Sequence, residues 1–437
     1  MTEVLTEVTQ QLGQTPNPRR ETTGLILLFG AMYFVQGIAE PTEGLIAQPV
    51  RSLLKSWGYS SAGIAGFGAL LTFPWWIKPI YGLLSDFVPI GRTRRRSYLL
   101  LTSAATVLGL GCLYVMPLPH GAYLQLLLLM LIPTVGVAFS DVVVDALMVE
   151  KGQPRGLTGM LQSVQWAALY GGSVPAALIG GYLSQHGYQQ EGFLLCAVTS
   201  FGTLLLAWFY VREEPHVPEK GRLLFATRAL AGAARTPAVL TAAAFLFLWN
   251  FNPFNSAVLY MHLTEHHGIS EQVYGVAASL KSVGAIVGSL AYAAYCRRVS
   301  MRWLIHLSIA AGVLSTLGYC LVTGTISAAV ISVIVGIAYL TGWMVQLDLA
   351  ARACPIEAAG TTFSVLMSLS MISFSLSSAL GGWIYDVWSS WWGAVTAFNL
   401  LVAAGAFTTS LCWLLVPLIV AADAKHAAAS LNPETGN

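Results

Sequence analysis

Seven acidic or basic side chains fall within apolar stretches of the sequence that are long enough to span a lipid bilayer. These residues are Glu40, Glu43, Lys78, Asp141, Asp145, Lys281 and Asp348. A charge at bilayer depth is costly, so such residues almost always line a water-filled path or pair with another charge. They offer binding of protons, ions or polar solutes, and the pattern is typical of a protein that moves something polar across a membrane.

Asp141 and Asp145 are four residues apart and therefore share one helix face. Asp141 lies roughly 13 Å and Asp145 roughly 7 Å from the end of the predicted helix that precedes Lys151. This depth favours a transport role for Asp141, as a proton-coupling group. Asp145 is close enough to the surface to pair with a loop of arginines, so a latch role and a transport role are both open for it. Asp348 is placed to pair with Arg352, again four residues away.

Glu40 and Glu43 are three residues apart, with Pro41 between them. A carboxylate confined in an apolar setting can bind and release protons near neutral pH. We therefore expect proton coupling through this pair or through Asp141. The alternative is that the first helix ends near Ala39 and that both glutamates face water outside the membrane.

Two lysines lie inside predicted helices. Lys281 falls about 16 Å into its helix, near the bilayer midplane, where an ammonium group cannot readily reach water. It is the best single candidate for contact with a substrate or a carboxylate. Lys78 lies roughly 10 Å from a helix end and can extend to the surface, and Pro79 predicts a local distortion there. A functional and a structural role are both open for Lys78.

Uncharged polar groups on the first, fifth and seventh predicted helices add to these charges. The candidate substrate-binding residues among them are Gln36, Gln162, Gln165, Trp166, Trp249, Asn250 and Asn252. Amide hydrogen bonds and aromatic stacking from this set would suit a flat polar ring. Side chains of these types also join helices inside membranes, which is the commoner role for any one of them.

The composition excludes a soluble globular protein. Of the 437 residues, 56% are hydrophobic and 10% are charged, whereas about a quarter are charged in an ordinary soluble domain. Apolar runs of roughly twenty residues recur, and a run of that length spans a hydrocarbon core. We predict an all-α integral membrane protein with twelve transmembrane helices, at residues 23–50, 61–84, 97–116, 123–150, 156–183, 193–211, 238–261, 271–295, 303–322, 326–349, 360–385 and 391–419.

The longest hydrophilic interruption divides six predicted helices from six. The predicted organisation is a cytoplasmic tail at 1–22, a six-helix bundle at 23–211, a cytoplasmic linker at 212–237, a second six-helix bundle at 238–419 and a cytoplasmic tail at 420–437. Weak internal similarity relates Asp145, Thr158 and Gly180–Gly181 of the first bundle to Asp348, Thr361 and Gly381–Gly382 of the second. Repeats of this kind are typical of transporters with a substrate site between two bundles.

Lys and Arg residues are distributed unequally between alternate loops. One side receives nearly all of them, whereas the other receives only Arg51 and Lys55. Because cytoplasmic loops carry the excess of basic residues, we expect a multi-pass protein of the cell (inner) membrane with both termini in the cytoplasm. The net charge of +2 follows from this topology and indicates no nucleic-acid partner.

Metal and enzyme chemistry find little support. The six cysteines form no C-x-x-C pair and no loop cluster, so no disulfide framework, zinc site or cofactor is expected. The run His262-Leu-Thr-Glu265-His266 matches the H-x-x-E-H pattern of some zinc peptidases, but it lies at a helix end without an evident third ligand, and we favour a chance cluster. A channel is the other competing class, although two related bundles fit alternating access better.

The loop after the second predicted helix carries the most specific motif. It reads Gly82-Leu-Leu-Ser-Asp86-Phe-Val-Pro-Ile-Gly91-Arg92-Thr-Arg94-Arg95-Arg96. An aspartate at a helix end, followed by Gly and an arginine cluster, resembles the signature loop between helices two and three of the major facilitator superfamily, which latches neighbouring helices at the cytoplasmic face. Here four residues separate Asp86 from Gly91, more than in the commonest version. The resemblance implies a latch built from Asp86, Arg92, Arg94, Arg95, Arg96, Asp145 and Glu150.

Further runs resemble one family within that superfamily, the folate-biopterin transporters. They are Lys78-Pro-Ile-Tyr-Gly-Leu-Leu-Ser-Asp86, Val88-Pro-Ile90, Arg94-Arg-Arg-Ser-Tyr98 and Ser140-Asp-Val-Val-Val-Asp-Ala-Leu-Met-Val-Glu150. The resemblance implies a major facilitator fold of two pseudo-symmetric six-helix bundles, expected to act as a monomer, that moves folates or related pterins with protons by alternating access. The alternative is a proton-coupled permease for muropeptides or another organic anion.

This resemblance also suggests how a ligand is held. The pteridine ring is expected to stack on Trp166 or Trp249 while Lys281 meets the anionic glutamate tail of a folate. Protonation of Asp141, or of Glu40 and Glu43, would bias the direction in which the central cavity opens.

Overall fold

Helices and the turns between them make up every part of the chain that the structure describes. The computed structural model describes residues 18–91, 93–116, 118–155, 157–213, 232, 235–296, 298–354 and 359–421. Within these ranges, β structure is limited to a bridge between Ile90 and Thr93. The all-α prediction is confirmed.

The N-terminal half, up to residue 213, contains helices α1 to α9. Their bounds are Pro18–Ala39 for α1, Ala47–Ser56 for α2, Ser61–Leu71 for α3, Phe73–Trp76 for α4, Lys78–Phe87 for α5, Arg95–Val115 for α6, Tyr123–Gly152 for α7, Thr158–His186 for α8 and Gln189–Phe209 for α9.

The C-terminal half, from residue 235, contains helices α10 to α16. Their bounds are Pro237–Asn250 for α10, Ser256–Met261 for α11, Glu271–Tyr295 for α12, Met301–Gly318 for α13, Thr325–Ala353 for α14, Ala359–Trp392 for α15 and Ala394–Ser410 for α16. A π-helical turn, His262–His266, follows α11.

Nine helices in the described part of the chain are long and apolar enough to cross a membrane. The apolar helices α3 and α10 are shorter, because the second and seventh predicted spans are broken. Each of the twelve predicted segments falls on one helix or on a run of short helices. The chain is therefore a multi-pass membrane protein, and the count of twelve spans stays a prediction.

The first predicted helix, at 23–50, is replaced by two helices. The first of them, α1, starts at Pro18, within the predicted N-terminal tail, and ends at Ala39. A turn then leads into α2. In that turn the Glu40 carboxylate accepts hydrogen bonds from the backbone N–H groups of Thr42 and Glu43, at 2.9 and 2.6 Å. A helix end leaves backbone groups without partners, and Glu40 satisfies two of them.

The first helix of the C-terminal half breaks in the corresponding place. Pro253, which has no N–H and cannot continue a helix, lies between α10 and α11. The Asn252 side-chain oxygen accepts from the Phe254 N–H at 3.0 Å, and the Asn255 oxygen caps the first turn of α11. In both halves, then, a polar side chain stabilises the break.

Prolines also divide the second predicted helix into α3, α4 and α5. Turns fall at Thr72 and Ile77, and Pro74 and Pro79 lie in the first turns of α4 and α5, where a missing N–H costs no helical hydrogen bond. The distortion predicted from Pro79 is therefore present, and it makes Lys78 the first residue of α5.

The two ends of the molecule differ in how the halves meet. We call the end that carries Arg94–Arg96 the basic end, and the end formed by α2 and the start of α12 the opposite end. Hydrogen bonds cross between the halves at the opposite end, from Gln48 to the Glu271 carbonyl at 2.7 Å, from Lys55 to Thr264 at 2.7 Å and from the Ala62 N–H to Asp386 at 2.9 Å. These contacts hold the opposite end closed.

The repeated Gly-Gly pairs play matching parts in the two halves. A Cβ on Gly180 would lie 2.6 Å from the Leu45 carbonyl beside the first break, and one on Gly381 would lie 1.7 Å from the Pro253 carbonyl in the second. The next glycine of each pair faces the other half: Gly181 meets α12, and Gly382 meets α3. Both pairs therefore allow backbone contact that a side chain would prevent.

We predict that Gly275→Ala opens the opposite end. Its new Cβ would lie 2.5 Å from the Ala177 carbonyl of the other half. Overpacking of this kind costs about 1–3 kcal/mol, which shifts a two-state equilibrium about 5- to 150-fold. In a cysteine-free background, buried Ser52→Cys should react faster with a maleimide when Gly275 is replaced.

Gly68→Ala is the matched control, because nothing lies within 4 Å of the Cβ that it adds. Equal maleimide rates for the two variants would show that the glycine contact does not hold this end closed.

Candidate functional site

A buried ion pair lies inside the N-terminal half. The Lys78 ammonium donates to Asp141 Oδ2 at 2.6 Å, and the side chains are 19% and 7% exposed. Gln36 of α1 donates to the other carboxylate oxygen, Oδ1, at 2.7 Å. The ammonium also lies 4.6 Å from the centre of the Trp75 ring. A charge removed from water needs a partner of opposite sign, and here each charge has one.

Asp145 lies one helical turn from Asp141 and makes different contacts. Its Oδ1 accepts hydrogen bonds from the Tyr33 hydroxyl and from Gln165 Nε2, the latter at 2.9 Å. The latch prediction placed Asp145 with the arginine loop. Its hydrogen bonds to described residues lead instead into the same interior group as Asp141, and the sequence analysis missed Tyr33 as a member of that group.

A small cavity lies beside this group. It has a volume of about 40 Å³ and is lined by Gln36 and by hydroxyls that include those of Ser103, Thr106 and Ser140. A space of this size holds on the order of one to three water molecules. The Ser103 hydroxyl is buried and has no hydrogen-bond partner among the described residues, so such a water could bind it.

Glu40 and Glu43 lie apart from this group, in the turn after α1. Glu40 is bound by the turn itself, and Thr42 donates a second bond from its hydroxyl at 2.5 Å. Glu43 is exposed and pairs with Arg51 at 2.9 Å, and Ser256 of the C-terminal half donates to it at 3.3 Å. The first helix thus ends at Ala39, as the alternative interpretation expected. A proton-coupling role for the two glutamates stays a prediction.

Lys281 lies on α12 beside aromatic rings. Its ammonium is 5.2 Å from the centre of the Tyr339 ring on α14. No acidic side chain of the described ranges lies within ion-pairing distance of it. Such an unneutralised, half-buried cation is the arrangement in which an anionic ligand gains most from binding.

Two further aromatic residues join the halves near Lys281. Trp166 of α8 and Trp343 of α14 meet edge to face, with ring centres 6.2 Å apart, and Tyr170 stacks beside Trp166 at 6.2 Å. Both indole N–H groups are buried without a partner within the described chain. Trp343 and Tyr339 were missed by sequence reasoning, although their spacing of four residues places them on one face of α14.

The residues predicted on the seventh helix, at 238–261, are held inside the C-terminal half. Trp249 is 6% exposed, and its ring packs against Gly312 and Gly342. Asn250 donates to Gln346 at 2.9 Å, and Asn252 donates to Thr316 at 3.1 Å. These contacts join helices of one half, which is the structural role that the sequence analysis left open. Gln162 of α8 is exposed.

Four of the predicted latch residues come together at the basic end: Asp86, Arg94, Arg95 and Glu150. Arg95 is 4% exposed and donates to Ser85 at 2.6 Å, to Asp86 and to Glu150. Arg94 also pairs with Glu150. Arg352 pairs with Asp348 at 3.2 Å in the other half, as its spacing predicts. Arg92 lies outside the described residues.

Glu213 is a further part of this end that sequence reasoning missed. Its carboxylate accepts hydrogen bonds from the backbone N–H groups of Arg94, Arg95 and Arg96, at 2.8 to 3.0 Å. These are free N–H groups at the start of α6, where a negative charge is favoured. Arg96 completes the contact by donating to the Trp208 carbonyl at 2.8 Å.

The H-x-x-E-H residues make other contacts. His262 stacks on Phe398 with ring centres 3.9 Å apart, and its ring nitrogen lies 3.2 Å from the Tyr385 hydroxyl. Over the described residues, no three histidine, cysteine or acidic side chains are grouped so as to hold a metal ion.

The fold matches solved membrane transporters. A nucleoside transporter, NupG, has a TM-score of 0.67 at 12% identity, with 91% of this chain and 98% of that one covered. A D-xylose-proton symporter has a TM-score of 0.68 at 14% identity, with 91% and 98% covered. At this identity the likeness shows the fold alone. The protein has the major facilitator fold, and it is a membrane transporter rather than an enzyme.

Sequence comparison identifies the family. Residues 36–431 match the BT1 family, and the chain belongs to it. A folate-biopterin transporter of Synechocystis sp. is 30% identical over 384 residues, which cover 82% of this chain and 75% of that protein. Folate transporter 1 of Plasmodium falciparum is 22% identical over 237 residues, which cover 54% and 46%. The resemblance to folate-biopterin transporters is confirmed.

We predict that Arg95→Gln destabilises the protein by about 1–3 kcal/mol, because it leaves Asp86 and Glu150 without their buried cation. The unfolding temperature in detergent, followed by tryptophan fluorescence, measures the loss. Arg155→Gln is the control: Arg155 and its partner Glu21 are each 40% exposed, and such pairs contribute about 0–1 kcal/mol. Equal effects of the two substitutions would contradict a structural role for the buried arginine.

Proposed function

We propose that this transporter carries folates or related pterins across the cell (inner) membrane, with its basic end in the cytoplasm, and that proton movement drives the transport. The observation that carries the proposal is the geometry around Lys281. An ammonium group without an acidic partner among the described residues lies 5.2 Å from the Tyr339 ring, and Trp343, one helical turn further along α14, meets Trp166 of the other half.

The chemistry of a folate fits these groups. Its pteridine ring is flat and aromatic, and Trp166, Tyr170 and Trp343 offer ring faces and two unpaired indole N–H donors. The anionic glutamate tail then meets Lys281. Biopterin has the same ring system without that tail. The names of the similar proteins from Synechocystis sp. and Plasmodium falciparum support this ligand class.

Alternating access is supported by the way in which the halves meet. Cross-half hydrogen bonds and glycine contacts close the opposite end, whereas the arginine contacts at the basic end stay within one half. A form open at the opposite end requires these cross-half contacts to break. Proton coupling is attributed to the acids of the buried group around Lys78.

We predict that Lys281→Gln weakens folate binding about 10- to 100-fold, because a charge-assisted hydrogen bond contributes about 1.5–3 kcal/mol. Biopterin affinity should stay nearly unchanged, since biopterin has no anionic tail, and Lys281→Arg should retain most folate affinity. Titration of tryptophan fluorescence in purified protein measures both ligands.

Proteoliposomes with an imposed pH gradient test the transport itself. Accumulation of folate or biopterin that stops when the gradient is collapsed is the expected result. Movement of a muropeptide while neither pterin moves would replace the proposed substrate with the alternative one. In the fluorescence titration, equal loss of folate and biopterin binding in Lys281→Gln would contradict the assignment of the glutamate tail to Lys281.

A further inference from the structure

The buried group of the N-terminal half contains charges that do not cancel. Two acids, Asp141 and Asp145, face one base, Lys78, among helices α1, α5, α7 and α8. The other side chains that contact the acids are neutral: Gln36 and Tyr33 on α1, and Gln165 on α8. Glu40 also acts electrostatically on Lys78, but the turn after α1 binds its carboxylate. With both aspartates ionised, the group therefore carries one excess negative charge.

The hydrogen bonds distinguish the two aspartates. Asp141 uses both oxygens, because Gln36 binds Oδ1 and Lys78 binds Oδ2. Asp145 receives both of its bonds, from Tyr33 and Gln165, on Oδ1. Its Oδ2 accepts no hydrogen bond from the described residues, and Asp145 is half-buried rather than enclosed. One carboxylate oxygen of the group is thus open to a proton, and it belongs to Asp145.

We propose that Asp145 binds the transported proton, while the Lys78–Asp141 ion pair stays intact; the inference rests on the proton coupling proposed above. A proton taken from water on one side of the membrane forms an O–H bond at Asp145 Oδ2 and neutralises the group. Release to water on the other side restores the carboxylate. Tyr33 and Gln165 donate to Oδ1 in both states. These two hydrogen bonds weaken when Asp145 is protonated and strengthen when it is ionised.

The position of Gln165 links this proton to the contact between the halves. Gln165 precedes Trp166 on α8, and Trp166 contacts Trp343 of the C-terminal half. A charged Asp145 holds Gln165 more strongly than a neutral one, since hydrogen bonds to ionised groups are roughly twice as strong. Protonation of Asp145 therefore weakens the hydrogen bond that holds Gln165 of α8, next to Trp166, which contacts the other half.

The test is Asp145→Asn, with Asp141→Asn as its matched partner. Asn at 145 keeps an acceptor oxygen for Tyr33 and Gln165 but is permanently neutral. In proteoliposomes it should lose accumulation driven by a pH gradient and retain exchange of labelled pterin across the membrane. Asp141→Asn removes the partner of Lys78, so both accumulation and exchange should be lost and the unfolding temperature should fall. Gradient-driven accumulation that persists in Asp145→Asn overturns the inference.

A second measurement does not depend on the substrate. Infrared difference spectra of the purified protein between acid and alkaline pH should contain the C=O band of a buried protonated carboxyl group. The band should disappear in Asp145→Asn and shift in frequency in Asp145→Glu. If wild type transports no pterin yet shows these band changes, the proposed substrate fails and the proton site stands. A band that is unchanged in both variants overturns the proton site whatever the substrate is.

Discussion

The Lys78–Asp141 ion pair imposes the main constraint on the N-terminal half. A buried ammonium and a buried carboxylate must meet at hydrogen-bond distance, because either charge alone would be far less stable inside a membrane protein. To meet, α5 must begin at Lys78, α7 must turn its acidic face inward and α1 must bring Gln36 alongside. The breaks that shorten the second predicted helix and the packing of α1 are consistent with this requirement.

The two halves share the structural features with which they contact each other, and they differ in the charged residues of their interiors. Each half begins with a helix that breaks and whose break is bound by a side chain, and each uses a Gly-Gly pair to approach both that break and the other half. The interior acids and base, in contrast, belong to the N-terminal half, and Lys281 belongs to the C-terminal half. Shared contacts suit a common rocking motion, whereas unlike interiors suit two ligands, a proton and an anion.

Sequence reasoning identified the interior charged residues but not the partners of Lys78, Asp141 and Asp145. Lys78 and Asp141 lie 63 positions apart, so periodicity along a helix cannot pair them, and Tyr33 reads as an ordinary core aromatic. Trp249 fits a stacking role by type alone, whereas its burial depends on Gly312 of α13 and Gly342 of α14, which are distant from it in the chain. The contacts of Asp86 with the arginine cluster were predictable because their motif is local, and Glu150 was included through the family resemblance, whereas Glu213 was missed. The end of the first helix at Ala39 was one of two alternatives for the segment around Glu40 and Glu43, and the sequence did not decide between them.

Glu213 has a consequence for how the two halves are joined. By binding the start of α6, it anchors the chain that leaves α9 to the N-terminal half. Twenty-three residues, 214–236, separate it from the start of α10, and at ~3.3 Å per residue they reach at most about 75 Å. Covalent connection therefore sets little limit on how far the halves tilt apart, and their mutual recognition resides in the facing surfaces. Two separately translated polypeptides, divided after Glu213, contain those surfaces in full and have the means to reassemble.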